Sequence, residues 1–559
     1  MMKLEIRPIS SMDKVLHEPL LSARPMTAAT ALKGEVFSFQ FAVKNVTPWN
    51  DPERWSPVLP VTAGITLESK LPVQLREVRT VPVDIPCFMP DIDLMGTTPG
   101  LYPDLLTEAP KTYLFPAEGW RAFWVTVRIP ANCKAGKYPV TIRLEELDRS
   151  SNKVENADVQ TCSMTLEVLS AKPAKQTMIR YEWFHVDCLA SYYNVATWSE
   201  EHWTIIKNFV RNGVEHGMNT LMTPLWTPPL DTAVGGERPT TQLLIIRKKG
   251  KKFTFDLSRL ERYVDMALEC GITHFAMSHA FTQWGAKATP KIMAEVNGKE
   301  QRIFGWDVPA DSPEYKEFLT QLMKVLLPFF REKGLGKNIY FSVSDEPTLE
   351  NIDSYAYASK LMDAVLDGTP TIDALSSFEF HKRGLVKNPV PANNHIEPFV
   401  GQVKDLYTYY CCGQCNGVPN RFITMHGEQT RVMGVMFYLY DIVGFLQWGF
   451  NFYYSHQSKE VIDPYRDTCG RNWVPGGDPF IVYPGKNGQP EDSLRHELFY
   501  DAIQDLNALR ALEKKIGRDA VITLIHEGLN YRISMTDYPH STEWLMQLRE
   551  KINRYLAAK

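Results

Sequence analysis

The rhythm of apolar and polar positions changes once along this chain, near residue 172, and the change marks two architectures. Before it, apolar residues recur at period two. The run Gly34 to Val43 alternates in this way, and Trp120 to Pro130 is a second such strand. The turn Ala135-Gly136-Lys137 leads into Tyr138 to Leu144, and Cys162 to Leu169 follows. Alternation of this kind places one face of each strand against a core. Repeated strands with Pro and Gly punctuation and no long helix predict an antiparallel β-sandwich over residues 1–172.

The polar, proline-bearing segment Ala171 to Gln176 is the boundary, and beyond it the period becomes helical. Trp203, Ile205, Ile206, Phe209, Val210 and Val214 form the apolar face of a helix, with Ser199 as its N-cap and Gly217 closing it. Thr220-Leu221-Met222 then reads as a strand, followed by a helix over about 257–270, strand-like His274 to Met277, and a helix over about 312–333. With strands near 179–184, 338–344, 371–375, 405–410 and 444–451, the alternation predicts a (β/α)8-like barrel over residues 173–515. A doubly wound open sheet is the alternative, but no Gly-rich phosphate fingerprint follows any strand. Residues 516–559, with a strand-like Ala520 to Ile525 and an end helix from about Thr542 to Leu556, form a short closing segment. The fold class is thus multidomain, β followed by α/β.

Composition changes this picture little. The 559 residues suit two to four domains, and 44% hydrophobic with 23% charged residues is ordinary globular composition. A net charge of −4 without a block of one sign gives no footprint for nucleic acid. The one basic run, Arg247 to Lys252, is broken by Gly250 and reads as a hairpin turn or solvated loop. No apolar stretch reaches membrane-spanning length, and Met1 to Arg7 lacks the apolar run of a signal peptide. Nine scattered cysteines do not suggest a disulfide framework, so a reduced, cytoplasmic setting is expected. Cys412-Gly413-Gln414-Cys415 is a lone pair where a zinc ribbon needs two. No metal or cofactor is expected.

Chemistry concentrates at Asp345-Glu346, which follows the strand-like Asn338 to Ser344 and precedes Pro347. Neighbouring side chains on a regular strand point apart, so both carboxylates serve one site only where the strand ends or bulges. Such a pair divides its work when surroundings push the two acidities apart. The alternative is a helix N-cap at Asp345 with Glu346 in the first turn. The other strand ends favour chemistry. They carry Trp183 to Asp187, Thr223 to Asp231, Ser278 to Gly285, Asn393 to Glu397, Tyr409-Tyr410, and Gln447-Trp448 with Asn451. Aromatic rings cover the apolar faces of sugars while amides and carboxylates bind hydroxyls, so one barrel face lined this way reads as a carbohydrate cleft. A metal would use His185, Asp187, His279, His395 and Glu397, whose spacing matches no common metal motif.

Four segments in order carry a family resemblance: His279 to Ala286, Ser344-Asp345-Glu346-Pro347, Gly444 to Asn451, and Asp478 to Gly485 with Ser493-Leu494-Arg495. Together they resemble glycoside hydrolase family 123, associated with β-N-acetylgalactosaminidase activity, over most of residues 30–510. The resemblance implies an N-terminal sandwich ahead of a barrel-like catalytic domain. It also implies a retaining exo-glycosidase in which the substrate's 2-acetamido group replaces a protein nucleophile. Carried over, Glu346 is the acid/base, and Asp345 accepts the acetamido N–H and stabilises the positive intermediate. An ionised Asp345 is expected to raise the pKa of Glu346. Trp448 and Asn451 are placed under the sugar and Tyr410 on the acetamido oxygen. Trp226, His279 and Trp284 are placed along the wall, with His185 a further substrate contact. Arg431 and Arg495 are expected to pair with structural carboxylates. The partner is then a glycan or glycoconjugate. Two rivals stay open: a glycosidase for sugars without the acetamido group, using Glu397 or Asp187, and a non-catalytic carbohydrate-binding protein.

Overall fold

The computed structural model describes residues 3–46, 60–89, 93–148 and 150–558. They fall into two compact units, one of Met1–Gln176, Pro419–Leu439 and Glu491–Lys559, the other of Thr177–Val418 and Tyr440–Pro490. No described helix is long and apolar enough to cross a membrane.

The first unit holds the sandwich. One sheet runs Leu4–Ser10, Val36–Asn45, Trp120–Arg128, Val73–Val83, Gly100–Glu108, each strand antiparallel to the next. The other runs Ala28–Ala31, Val159–Val168, Gly136–Leu147, Val61–Ser69, Thr112–Phe115. Phe39, Phe41, Val43, Phe123 and Val125 from the first meet Ile142, Leu144, Met164 and Leu166 from the second, which is the burial the alternation predicts. Ser38 and Gln40, on the opposite face of their strand, are buried as well. Gln504, on the helix Leu494–Ile516, donates to Val36 O and accepts from its N–H, so this helix lies along the sheet.

That helix displaces the expected boundary at 515, since residues 491–559 belong with the sandwich unit. It is buried on most of its circumference. Such a helix shows no single apolar stripe from which its neighbours can be read. Arg495 forks onto Asp104 with two 2.9 Å bonds, and Arg431 onto Asp505 at 2.7 and 3.0 Å. Both arginines are therefore held by structural carboxylates. The strand-like Ala520 to Ile525 is part of the helix Arg518–Ile525, whose buried Val521 and Ile525 stand four residues apart. A six-residue apolar run satisfies either period.

In the second unit, six parallel strands are ordered Ile339–Tyr340, His274–Met277, Thr220–Thr223, Ile179–Glu182, Gly444–Gln447, Tyr407–Tyr409. Ile372–Ala374 and Asn388–Val390 form a further parallel pair, joined to the two edges by single parallel bridges, Phe341 to Thr371 and Ala392 to Tyr409. The result is a curled parallel sheet alternating with helices, which meets the barrel expectation to that extent. Helix Glu200–Glu215 is capped by Ser199, whose side chain accepts from His202 N–H, and Gly271 ends helix Ser258–Cys270 at φ 106°. The basic run is the turn of the hairpin Ile245–Lys249/Lys252–Asp256, with Gly250 at φ 58°. Parallel strands leave their C-terminal ends on one side of the sheet, and the candidate residues lie there.

Candidate active site

Asp345-Glu346 sits just beyond the strand Ile339–Tyr340, in a segment clamped from both neighbours. On one side Ala280 N–H donates to Ser342 O (2.9 Å), Phe281 N–H to Val343 O (3.0 Å) and Trp284 N–H to Asp345 O (2.8 Å). On the other, Glu346 N–H donates to Ala374 O (3.1 Å). The helical cap alternative does not hold, because the next helical turn starts at Leu349 with Thr348 at its N-cap. Instead Glu346 takes φ 39°, the left-handed region that a non-glycine residue enters at a cost of about 1–3 kcal/mol. That kink breaks the alternation of the strand, so the two side chains need not point to opposite faces. Asp231 (φ 47°), Trp284 (φ 57°) and Ala286 (φ 54°) are strained in the same way.

The two carboxyls are treated differently by the protein. Glu346 Oε1 accepts a 2.5 Å hydrogen bond from the Tyr409 hydroxyl. Among the described residues no hydrogen-bond donor reaches the Asp345 carboxylate. Burial, with the Glu346, Asp231 and Asp373 carboxylates nearby, pushes the Asp345 pKa well above the usual carboxylate range. Within the pair the rise is thus found at Asp345. Asp231 is pushed up to about 7 by burial, with Asp478 and Glu346 adding to it against Arg238. Its backbone is fixed by Gln283, whose Oε1 accepts from its N–H (2.5 Å), and by Ser458, whose hydroxyl donates to its carbonyl (2.7 Å).

Around this cluster the other sequence candidates separate into lining and support. Trp284 is 43% exposed beside the pair. Trp448 is half-buried, donates from its indole N–H to Asp478 (2.9 Å), and packs against Phe452 and Trp473 at ring distances of 5.1 and 5.4 Å. His279 is buried with its ring edge-on to Trp183 (5.2 Å), and burial lowers its pKa to about 3. Its Nδ1, the Trp183 indole N–H and the Tyr181 hydroxyl are buried polar atoms without protein partners among the described residues. The Tyr181 hydroxyl also lies within the field of Asp345. Buried polar groups of this kind call for a ligand or water.

The remaining four candidates face the protein interior. Trp226 is fully buried, donates to His279 O (2.7 Å) and packs on Phe318. Tyr410 is fully buried against Phe445 (4.8 Å), and its neighbour Tyr409 is the tyrosine that meets the pair. Asn451 accepts from His185 N–H (2.9 Å) and donates to His185 O (3.1 Å), tying together the segments that follow the strands Ile179–Glu182 and Gly444–Gln447. His185 Nε2 lies 2.9 Å from Trp448 O, and its Nδ1 accepts from Arg238 (3.2 Å). Burial and the Arg238 charge depress its pKa to about 3, so the ring is neutral.

Arg238, which the sequence reading passed over, organises this support. It forks onto Asp187 with two 2.8 Å bonds and donates to Leu230 O (3.0 Å), next to Asp231. Arg238→Met strands the buried Asp187 charge, and a loss of about 3–5 kcal/mol is expected, read as a lower thermal midpoint. Arg238→Met combined with Asp187→Leu is expected to recover most of it. Glu397, the other rival carboxylate, is exposed and accepts from Tyr440 (2.6 Å). A cleft of about 620 Å³ between helices Glu200–Glu215 and Ser258–Cys270 is lined by surface ion pairs such as Arg262 with Glu200 and contains none of the groups above.

Comparison with known proteins gives a family and a fold. The family model described as "Glycoside hydrolase 123, catalytic domain" matches residues 183–512. The structure of a family 123 glycoside hydrolase from Clostridium perfringens, described in connection with glycolipid glycan hydrolysis, is 17% identical with a TM-score of 0.72, covering 99% of this chain and 97% of that one. A β-glucuronidase from Bifidobacterium dentium is far less similar, at 10% identity and a TM-score of 0.33 over 90% of this chain and 66% of that one. No curated protein matches the chain.

Proposed function

The chain belongs to glycoside hydrolase family 123, and from that premise we propose that it is a retaining exo-glycosidase acting on terminal β-linked N-acetylgalactosaminides through the substrate's own 2-acetamido group. The observation that carries this reading is the asymmetry of the pair. Glu346 bonds a tyrosine hydroxyl, while Asp345 is desolvated and has no protein donor among the described residues. A carboxylate left in that state suits a substrate that brings its own N–H and a developing positive charge, and that charge in turn favours the ionised form of Asp345.

In the first step the acetamido carbonyl oxygen bonds to the anomeric carbon as the bond to the leaving oxygen breaks. Glu346 delivers its proton to that oxygen, and Asp345 accepts the acetamido N–H and offsets the charge of the oxazolinium-like intermediate. Water then adds to the anomeric carbon and gives a proton to Glu346, and the acetamido group is released with the configuration retained. Trp448 and Trp284 offer ring faces to sugar. Tyr181, Trp183 and His279 offer buried polar atoms, that of Tyr181 within the field of Asp345. His185, Asn451, Trp226 and Tyr410 support these groups from behind. We take the eight strands, joined by their single bridges, as an irregular (β/α)8 barrel presenting these ends.

The rival without an acetamido group loses support because its carboxylates are engaged elsewhere, Asp187 by Arg238 and Glu397 by Tyr440. Hydrolysis of paired aryl β-glycosides with and without the 2-acetamido group tests the choice. Release from the acetamido sugars alone is expected, with the galacto form faster than the gluco form. Equal release from sugars lacking that group would overturn the mechanism. Glycolipid glycans ending in the same sugar are the natural substrates to try next.

A further inference from the structure

We propose that Asp373 is the positioning residue of the Asp345–Glu346 pair, holding the pair in place through its hydrogen bonds and acting on Asp345 through its charge. The proposal rests on the reading of that pair as the catalytic one. Asp373 lies on the strand Ile372–Ala374 and is 1% exposed. Its Oδ1 accepts from Val343 N–H (2.7 Å) and Ser344 N–H (3.3 Å), the two residues that lead into Asp345. Its Oδ2 accepts from the hydroxyl of Tyr355 (2.8 Å), fully buried on the helix Ile352–Val365 that follows the pair. One carboxylate therefore ties the chain entering the site to the helix leaving it. The backbone on either side of Asp373 adds to this, with Ile372 O accepting from Ser342 (2.9 Å) and Ala374 O from Glu346 N–H (3.1 Å).

A neutral side chain with one carbonyl oxygen could still accept from the Val343 and Ser344 N–H groups, so the charge needs a separate account. Four groups act on or border Asp345: Glu346, Asp231 and Asp373 raise its pKa, and the Tyr181 hydroxyl lies in its field. Burial brings Asp373 itself to about 7 against its three donors, so above that pH it adds a negative charge next to Asp345. Charge and hydrogen bonding can be separated by substitution. Asp373→Asn keeps an oxygen for the two N–H groups and removes the charge, whereas Asp373→Ala removes both.

The test reads the pH profile of kcat/KM together with the pH dependence of thermal stability. Asp373→Asn is expected to leave KM near the wild-type value and to move the acidic limb of the profile to lower pH by roughly half a unit to one unit. Asp373→Ala is expected to lower kcat by roughly 10²-fold, the effect of a small misplacement of reacting groups. Recovery of kcat in the Asn variant would mark the loss as positional. An independent reading needs no substrate: Asp345→Asn should raise the thermal midpoint above pH 7, and by less when Asp373 is already Asn. An equal gain in both backgrounds, or an acidic limb that stays in place, overturns the proposal. If every acetamido substrate is refused, the stability cycle still decides the coupling, and the failure then belongs to the functional reading.

Discussion

Glu346→Gln is expected to lose roughly 10²–10⁴-fold in kcat/KM on glycosides with poor leaving groups, the usual contribution of a general acid. Activated aryl glycosides should be affected much less, because their leaving oxygen departs without a proton. The amide keeps the size of the side chain and an acceptor for the Tyr409 hydroxyl, so the segment stays in place. The measurement is kcat/KM across aryl glycosides graded by leaving-group acidity, which should depend steeply on that acidity in the variant and weakly in the parent. A uniform loss across the series would remove Glu346 from the acid role. Glu346→Ala with added azide gives a second reading, since a small anion can enter the vacated space and return a β-azide only if the intermediate still forms.

Asp345→Asn is expected to fail on both kinds of leaving group, by a comparable roughly 10²–10⁴-fold, because its carboxylate acts on the intermediate rather than on the departing oxygen. The same substitution should stabilise the protein, and the sign follows from linkage. In the folded protein the Asp345 pKa stands well above its unfolded value of about 3.9, so its contribution to stability is fully present below about pH 4 and is lost as pH rises through the folded pKa. An amide titrates nowhere in this range. The variant should therefore match the parent near pH 4 and exceed it increasingly toward neutral pH, while the activity of the parent rises over the same interval as Asp345 ionises. Thermal unfolding at pH 4 and 7.5 decides the point. A variant less stable than the parent at pH 7.5 would mean that the carboxylate is satisfied by the protein, and the case for an acetamido partner would fail with it.

Some of the supporting architecture was hidden in the sequence for identifiable reasons. The short strand Asn388–Val390 contains Pro389, which weakens the strand pattern, and its sheet partner Ile372–Ala374 lies sixteen residues earlier at the paired ends. Tyr409 and Tyr410 are the same residue type at one strand end, and a one-residue choice of face separates a buried ring from a hydroxyl at 2.5 Å from Glu346. Arg238, in a loop without periodicity, finds Asp187 fifty-one residues away. Asp373 reads as one acidic residue inside a short apolar strand, and its three donors come from the segment after the strand Ile339–Tyr340 and from the helix Ile352–Val365.

Local physics was enough for the rest. Period-two alternation placed the sandwich strands Val36–Asn45, Trp120–Arg128, Gly136–Leu147 and Val159–Val168, and caps and apolar stripes placed the helices Glu200–Glu215 and Ser258–Cys270 within a residue or two. Two adjacent carboxylates stopped by a proline could share one site only where the strand ends or bulges, and Glu346 provides the break at φ 39°. Those features depend on neighbours in the chain, and the sequence contains them in full. What the tertiary structure alone decided is which candidates face the cleft and which support it. His185, Trp226, Tyr410 and Asn451 have the residue types of a sugar site, yet their polar atoms or rings pack against protein. Asp231 and Tyr409, by contrast, stand beside the pair itself. The direction of a side chain at a strand end, and the acidity of a carboxyl set by burial and, besides its neighbour Glu346, by Asp231 and Asp373 far away in sequence, exist only once the strands have curled together.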